Sequence, residues 1–214
     1  NNPEWNNWAI TEQINTTSSI FKYSNGSPSA IRAVLSYSAR MVDNGTGYAS
    51  SATMCPSDVL RFNSLSSINR YITLYGLVPG KTYDLSFFAS RAFFGTKTIV
   101  AIGTRKDTID TDYNTTDYAK FNSVTSEANG TLRIGLTHTG TWQYIAGFSI
   151  KENVSDNKML QPENSFNATS LIGKNNNDEV YSEKAAETAI VFPNPFNDKL
   201  SVRLGAGIKG NYKL

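Results

Sequence analysis

Histidine and cysteine are nearly missing: the 214-residue chain carries one of each, His138 and Cys55. A single thiol closes no intrachain disulfide and builds no Cys-based zinc site. One imidazole cannot supply the two or three ligands of a His-based metal centre. Triad chemistry needs an imidazole placed to take a hydroxyl proton. His138 instead follows an alternating strand, and no Gly-x-Ser-x-Gly elbow accompanies it, because Gly147-Phe148-Ser149-Ile150-Lys151 ends on lysine. A Gly-rich phosphate loop is missing too. No apolar run approaches the roughly 20 residues that cross a bilayer as a helix. The opening Asn1-Asn2-Pro3-Glu4 has none of the pattern of a signal peptide. Both ends read as cut, so a piece of a longer protein is expected. Charge is sparse as well, 18% of residues with a net +2. Residues 1–150 hold 12 Lys/Arg and 10 Asp/Glu, and residues 151–214 hold 8 of each. No concentrated basic stretch stands out, which argues against a nucleic-acid partner.

Asn, Ser, Thr, Gly and Tyr occupy the space that charge leaves, a composition suited to short strands and turns. Residues 1–152 show period-2 alternation throughout. Tyr71, Thr73 and Tyr75 oppose Ile72 and Leu74; Tyr83, Leu85, Phe87 and Ala89 share a face; Leu132, Ile134 and Leu136 share another; Tyr144, Ala146, Phe148 and Ile150 close the stretch. Asn44-Gly45, Pro79-Gly80, Asn129-Gly130 and Thr139-Gly140 punctuate these runs as turns. The expectation is a mainly β protein, an antiparallel two-sheet sandwich. Residues 29–42 fit a short helix and a strand equally. Of the strand aromatics, Tyr71, Tyr83, Phe87 and Phe148 are expected in the core.

Residues 153–189 change character. Lys174-Asn175-Asn176-Asn177-Asp178-Glu179 offers little to bury, and a flexible linker is expected. The third piece, 190–214, opens on Val191-Phe192-Pro193-Asn194-Pro195-Phe196-Asn197-Asp198-Lys199-Leu200-Ser201-Val202. Two prolines fix a turn, and Leu200, Val202 and Leu204 then alternate as a half-buried strand. This block resembles the start of the C-terminal sorting domain read by the type IX secretion system of Bacteroidetes-type bacteria. The resemblance implies export through that machinery to the medium or the outer cell surface. The remainder of such a domain does not fit in the chain, so the alternating residues are expected to lack partner strands of their own and either to be disordered or to borrow a sheet edge.

A second resemblance lies in residues 1–152. Trp5-Asn6-Asn7-Trp8, Cys55-Pro56-Ser57-Asp58-Val59-Leu60-Arg61, the stretch from Leu74 through Gly76-Leu77-Val78-Pro79-Gly80-Lys81-Thr82-Tyr83 to Arg91, and Trp142 to Ile150 stand in an order similar to an accessory sandwich of large secreted proteins of the same bacteria. That resemblance implies a jelly-roll or galactose-binding-like fold beside glycan-active or adhesive domains, and it transfers no site residues.

Aromatic side chains are the remaining chemistry. A flat ring stacks on the C–H face of a sugar while neighbouring polar groups take its hydroxyls. Trp5, Trp8, Phe94, Tyr113 and Trp142 stand in loop or polar surroundings and are the candidate glycan contacts, with packing onto the sandwich edge the equal alternative for each. Asp107, Asp110, Asp112 and Asp117 crowd one loop, and the first three are a candidate structural calcium site, although the spacing of a dedicated calcium loop is missing. A solvated hairpin explains them equally. Asp43-Asn44-Gly45-Thr46-Gly47 is a lesser calcium candidate, and Asp58 is expected to pair with Arg61 or to cap a turn. No other cofactor is implied. The leading reading is a non-catalytic, secreted glycan-binding module; the rivals are a ligand-free spacer and a carboxylate-dependent glycan-active enzyme.

Overall fold

The computed structural model describes residues 5–10, 14–37, 40–153 and 199–206. In chain order these form β1 (Trp5–Ile10), β2 (Asn15–Thr17), β3 (Arg32–Ser36), β4 (Arg40–Asp43), the one-turn helix α1 (Ser57–Arg61), β5 (Phe62–Ser66), β6 (Arg70–Tyr75), β7 (Thr82–Phe88), β8 (Lys97–Ile102), β9 (Arg105–Asp110), β10 (Ala119–Thr125), β11 (Leu132–Thr139), β12 (Gln143–Ile145), β13 (Gly147–Glu152) and β14 (Lys199–Ala206). The protein is mainly β. A five-stranded sheet in the order β1-β14-β13-β7-β10 packs on a six-stranded sheet in the order β2-β3-β6-β11-β8-β9. A small sheet, β12-β5-β4, closes one side.

The pleat explains the packing. Successive side chains on a strand point to opposite faces, so every second residue meets the facing sheet. Leu85, Phe87, Phe121, Phe148 and Ile150 from the first sheet join Leu35, Ile72, Leu74, Ile134 and Leu136 from the second in one buried layer. Phe148 lies near Phe21 and Phe87 with ring centroids 6.1 and 6.2 Å apart. The expected burial of Tyr83, Phe87 and Phe148 is met. Tyr71 departs from expectation: it is 39% exposed, on the outer face of β6, because its buried neighbours Arg70 and Ile72 fix the opposite parity. The described residues of the segment 29–42 include β3 and most of β4, and no helix.

The largest departure concerns β14. Far from lacking partners, it lies inside the five-stranded sheet, parallel to β1 and antiparallel to β13. It belongs to the same compact unit as β1 to β13. Leu200, Val202 and Leu204 are buried in the common core, each contributing about 1.5–3 kcal/mol by the usual scale of apolar burial. The sequence pattern announced the strand; the match in register with β1 and β13 could not be read from it. Within this sheet β1 is tied to the body only through β14. Asn6 adds a clasp, accepting from the Lys22 amide and donating to the Lys22 and Ser201 carbonyls. The Pro-Asn-Pro-Phe block and the expected linker lie outside the described residues, save Asn153, whose amide donates to the Thr82 carbonyl.

The small sheet is pinned to the six-stranded one by a fully buried arginine. Arg70 donates from Nε to Gln143 Oε1 at 3.1 Å, from Nη1 to Ser64 Oγ at 2.7 Å and from Nη2 to the Ser64 carbonyl at 2.8 Å. Burial pushes its guanidinium down to about 9, so it remains a cation at neutral pH, held by neutral oxygens. Gln143 in turn donates to the Ile68 and Leu136 carbonyls, which completes the bridge.

Glycine separates two packing situations that a substitution can test. A Cβ on Gly147 would lie 2.5 Å from the Val202 carbonyl oxygen and 3.0 Å from Val59 Cγ1, whereas one on Gly135 would meet nothing closer than Ala101 Cβ at 3.6 Å. Gly147→Ala must therefore push β14 off β13, and it is expected to lower unfolding free energy by about 1–3 kcal/mol. Gly135→Ala is expected to be neutral or slightly stabilising. Urea denaturation of both variants checks the pair, and equal effects would contradict the close β13–β14 approach.

Candidate functional site

Three loops meet at one end of the sandwich: 44–56, 89–96 and 111–118. Short polar side chains join them. Asn44 Nδ2 donates to the Leu60 and Ser90 carbonyls at 2.9 and 3.0 Å, while its Oδ1 accepts from Arg91 Nη1 and the Ala92 amide at 2.7 and 3.1 Å. Asn114, which is buried, donates to the Ala89 and Asp117 carbonyls and accepts from the Thr116 and Asp117 amides. Ser90 Oγ links the two, bonding the Asn114 carbonyl and the Tyr48 hydroxyl. Asn63 adds a bond to the Leu60 carbonyl and one from the Ser90 amide. Buried loop backbone needs such partners, and side-chain amides and hydroxyls each both donate and accept. Beneath lies an apolar cushion of Cys55, Val59, Leu60, Phe88 and Ala146, with Trp5 and Tyr48 packed against it.

On this frame sits an aromatic tip. Arg91 and Asp112 pair as a parallel bridge, the Arg91 amide donates to the Thr111 carbonyl at 2.7 Å and the Tyr113 amide to the Arg91 carbonyl at 2.8 Å. The Asp112 carboxylate then accepts from the Gly95 and Thr96 amides at 2.7 and 3.2 Å, so it caps the turn that carries Phe93 and Phe94. Tyr113 has φ +46°, a left-handed conformation uncommon for a side chain of its bulk. The result sets Phe94 beside Tyr113 with ring centroids 4.8 Å apart and planes at 52°, the two residues 70% and 50% exposed. Two large apolar rings held in water cost solvation, and the pair makes a ready surface for a ligand with an apolar face.

The sequence-predicted residues separate into groups. Phe94 and Tyr113, distant in the chain, are brought together. Trp142 is half-buried against the core. Its turn abuts the tip, since a Cβ on Gly140 would fall 2.5 Å from the Gly95 carbonyl oxygen. His138 pins that turn, its Nδ1 lying 2.9 Å from the Gly140 carbonyl and its Nε2 3.1 Å from the Ser67 carbonyl. Trp5 meets Phe88 edge-on at 5.8 Å and forms part of the cushion. Trp8 is a correction: at 2% exposure it is core, set edge-on to Phe21, because alternation in β1 turns it inward with Ile10. It is not a surface contact.

The calcium candidates are a second correction. Among the described residues no three Asp, Glu, His or Cys side chains form a group able to hold a metal ion. Asp107 and Asp110 stand an odd number of residues apart on β9 and so face opposite ways. Their oxygens are occupied: Asp107 accepts from the Thr108 and Lys120 amides, Asp110 pairs with Lys97 at 3.0 Å, and Asp112 caps the tip. Asp43 likewise accepts from the Gly45 amide and pairs with Arg61 at 2.8 Å, taking the cation expected for Asp58. Sequence reasoning missed the bracing role of Asn44, Ser90 and Asn114. Asn-Gly at 44–45 reads only as a turn, and nothing local marks an asparagine as buried.

No protein-family model matches the chain, and no curated protein matches it at a significant level. One solved structure it resembles is that of TmCBM61 in complex with β-1,4-galactotriose, at 13% identity and a TM-score of 0.35, over 58% of this chain and 83% of that one. A likeness this slight carries no argument about fold or ligand.

The loop frame has an acid-sensitive member. The Arg61 side chain holds the Asp43 carboxyl at about 2, below its ordinary 3.8. A carboxyl depressed in the folded state stabilises fully above its unfolded value, and that contribution disappears as pH falls through the folded one. Asp43→Asn is therefore expected to be less stable than the parent above pH 4. Thermal unfolding should show the gap closing as pH drops towards 2. A gap independent of pH would mean that the pair contributes nothing.

Proposed function

We propose that this chain is a non-catalytic glycan-binding module in which a sugar ring stacks on the Phe94–Tyr113 pair. The observation that carries the reading is the exposure and 4.8 Å spacing of these two rings on separate, braced loops. A pyranose offers an apolar C–H face of matching size, and Arg91 and the loop amides stand nearby for its hydroxyls. The engagement of His138 by two backbone carbonyls favours binding over imidazole-dependent catalysis. The block 191–202 supports export by the type IX route, and a secreted or outer-surface location follows from that resemblance. The module then serves a larger protein by holding it against a polysaccharide.

Affinity electrophoresis in gels cast with neutral polysaccharides tests this. Phe94→Ala and Tyr113→Ala are each expected to weaken retention about tenfold, the scale of one lost stacking contact. Both should keep the parent unfolding temperature, whereas Trp8→Ala should lose stability by about 3–5 kcal/mol. Retention unchanged in the Phe94→Ala/Tyr113→Ala double variant would remove the tip from the site. Failure to bind any glycan would leave the spacer role.

A further inference from the structure

The outer face of the six-stranded sheet carries chemistry that the loop tip does not use. Directly paired residues of neighbouring strands lie on one face. The register pairs Arg32 with Tyr75, Tyr71 with Gly135, Gly135 with Ala101, and Ala101 with Lys106. Arg133, two residues before Gly135, shares that face, as does Lys97, and all four cations are exposed. The only carboxylate that these strands place there is Asp110, which is taken by Lys97 at 3.0 Å. Among the described residues, Arg32, Arg133 and Lys106 have no compensating acid on the face.

The arginines are not loose. The Arg133 guanidinium lies over the Tyr71 ring, 3.6 Å from its centroid, and that of Arg32 lies 5.4 Å from the Tyr75 centroid. Neither makes a hydrogen bond or ion pair with another described residue. A guanidinium seated on a ring loses little further freedom when its N–H edge meets an anion. Between them the floor is low: Gly135 and Ala101 separate Tyr71 from Lys106, so an extended chain can lie across the strands. From β3 to β9 is four inter-strand steps, about 19 Å at ~4.8 Å each.

We propose that this face binds an acidic polysaccharide, whose carboxylate or sulfate groups sit on Arg32, Arg133 and Lys106. Single-stranded nucleic acid fits less well, because base stacking needs open aromatic faces and those of Tyr71 and Tyr75 are covered by guanidinium groups. The inference involves none of the tip residues and holds whether or not the tip binds.

The full chain is titrated at low salt with polygalacturonate, with chondroitin sulfate, with uncharged galactan and with a single-stranded oligodeoxynucleotide. Binding to one or both acidic polysaccharides is expected, stronger than to the galactan or the oligonucleotide and weakening as salt rises. Polygalacturonate carries carboxylate alone and chondroitin sulfate carries both groups, so unsulfated chondroitin is titrated beside them: binding lost with the sulfate assigns sulfate, binding kept assigns carboxylate. Arg32→Gln/Arg133→Gln is expected to weaken it at least tenfold with an unchanged near-ultraviolet spectrum, and by the same factor in a Phe94→Ala background. Failure to bind either acidic polymer, parent-like affinity in the double variant, equal affinity for the galactan, or tighter binding of the oligonucleotide would each overturn the proposal.

Discussion

The apolar layer between the two large sheets is the constraint from which everything else in the molecule follows. Its members come from nearly every strand, and the two-residue period of the pleat means that choosing the inner face also chooses the outer one. Once Ile72, Leu74, Ile134 and Leu136 point inward, Tyr71, Tyr75 and Arg133 have no alternative but water. A functional surface is thus a by-product of building a core. The core also decides which loops meet, since strand ends that pack together bring their connections together.

Closure of that layer depends on a strand far along the chain. Residues 199–206 fill the gap between β1 and β13, so the first and last described elements are neighbours. The arrangement makes the position of the N-terminal strand dependent on the C-terminal one. It also places the strand that follows the export-like block inside the sandwich, where Leu200, Val202 and Leu204 are shielded from solvent.

The loop end shows a different physical logic. Above a small apolar cushion the chain is held by amides and hydroxyls: Asn44, Asn63, Ser90 and Asn114 satisfy one another's backbone neighbours. Such networks are rigid because each member loses a buried partner if it moves. Rigidity at this end allows two exposed rings to stay 4.8 Å apart, whereas free side chains would collapse onto the nearest apolar surface.

Much of this was legible in the amino-acid order. Alternation in 71–75, 83–89 and 132–136 determined strands and a β fold, because period 2 is a local property of the backbone. The Gly-containing turns were equally local, and Gly45, Gly80, Gly130 and Gly140 all take positive φ. The scarcity of His and Cys left imidazole- and thiolate-based sites with too few side chains from the outset. Tertiary structure alone decided the rest: that Trp8 faces inward, that Phe94 meets Tyr113, that β14 has partners, and that Arg32, Lys106 and Arg133 gather on one face. Each of these is set by pairing register between segments distant in the chain, and register comes from the cooperative fit of many side chains, which no short stretch of sequence contains.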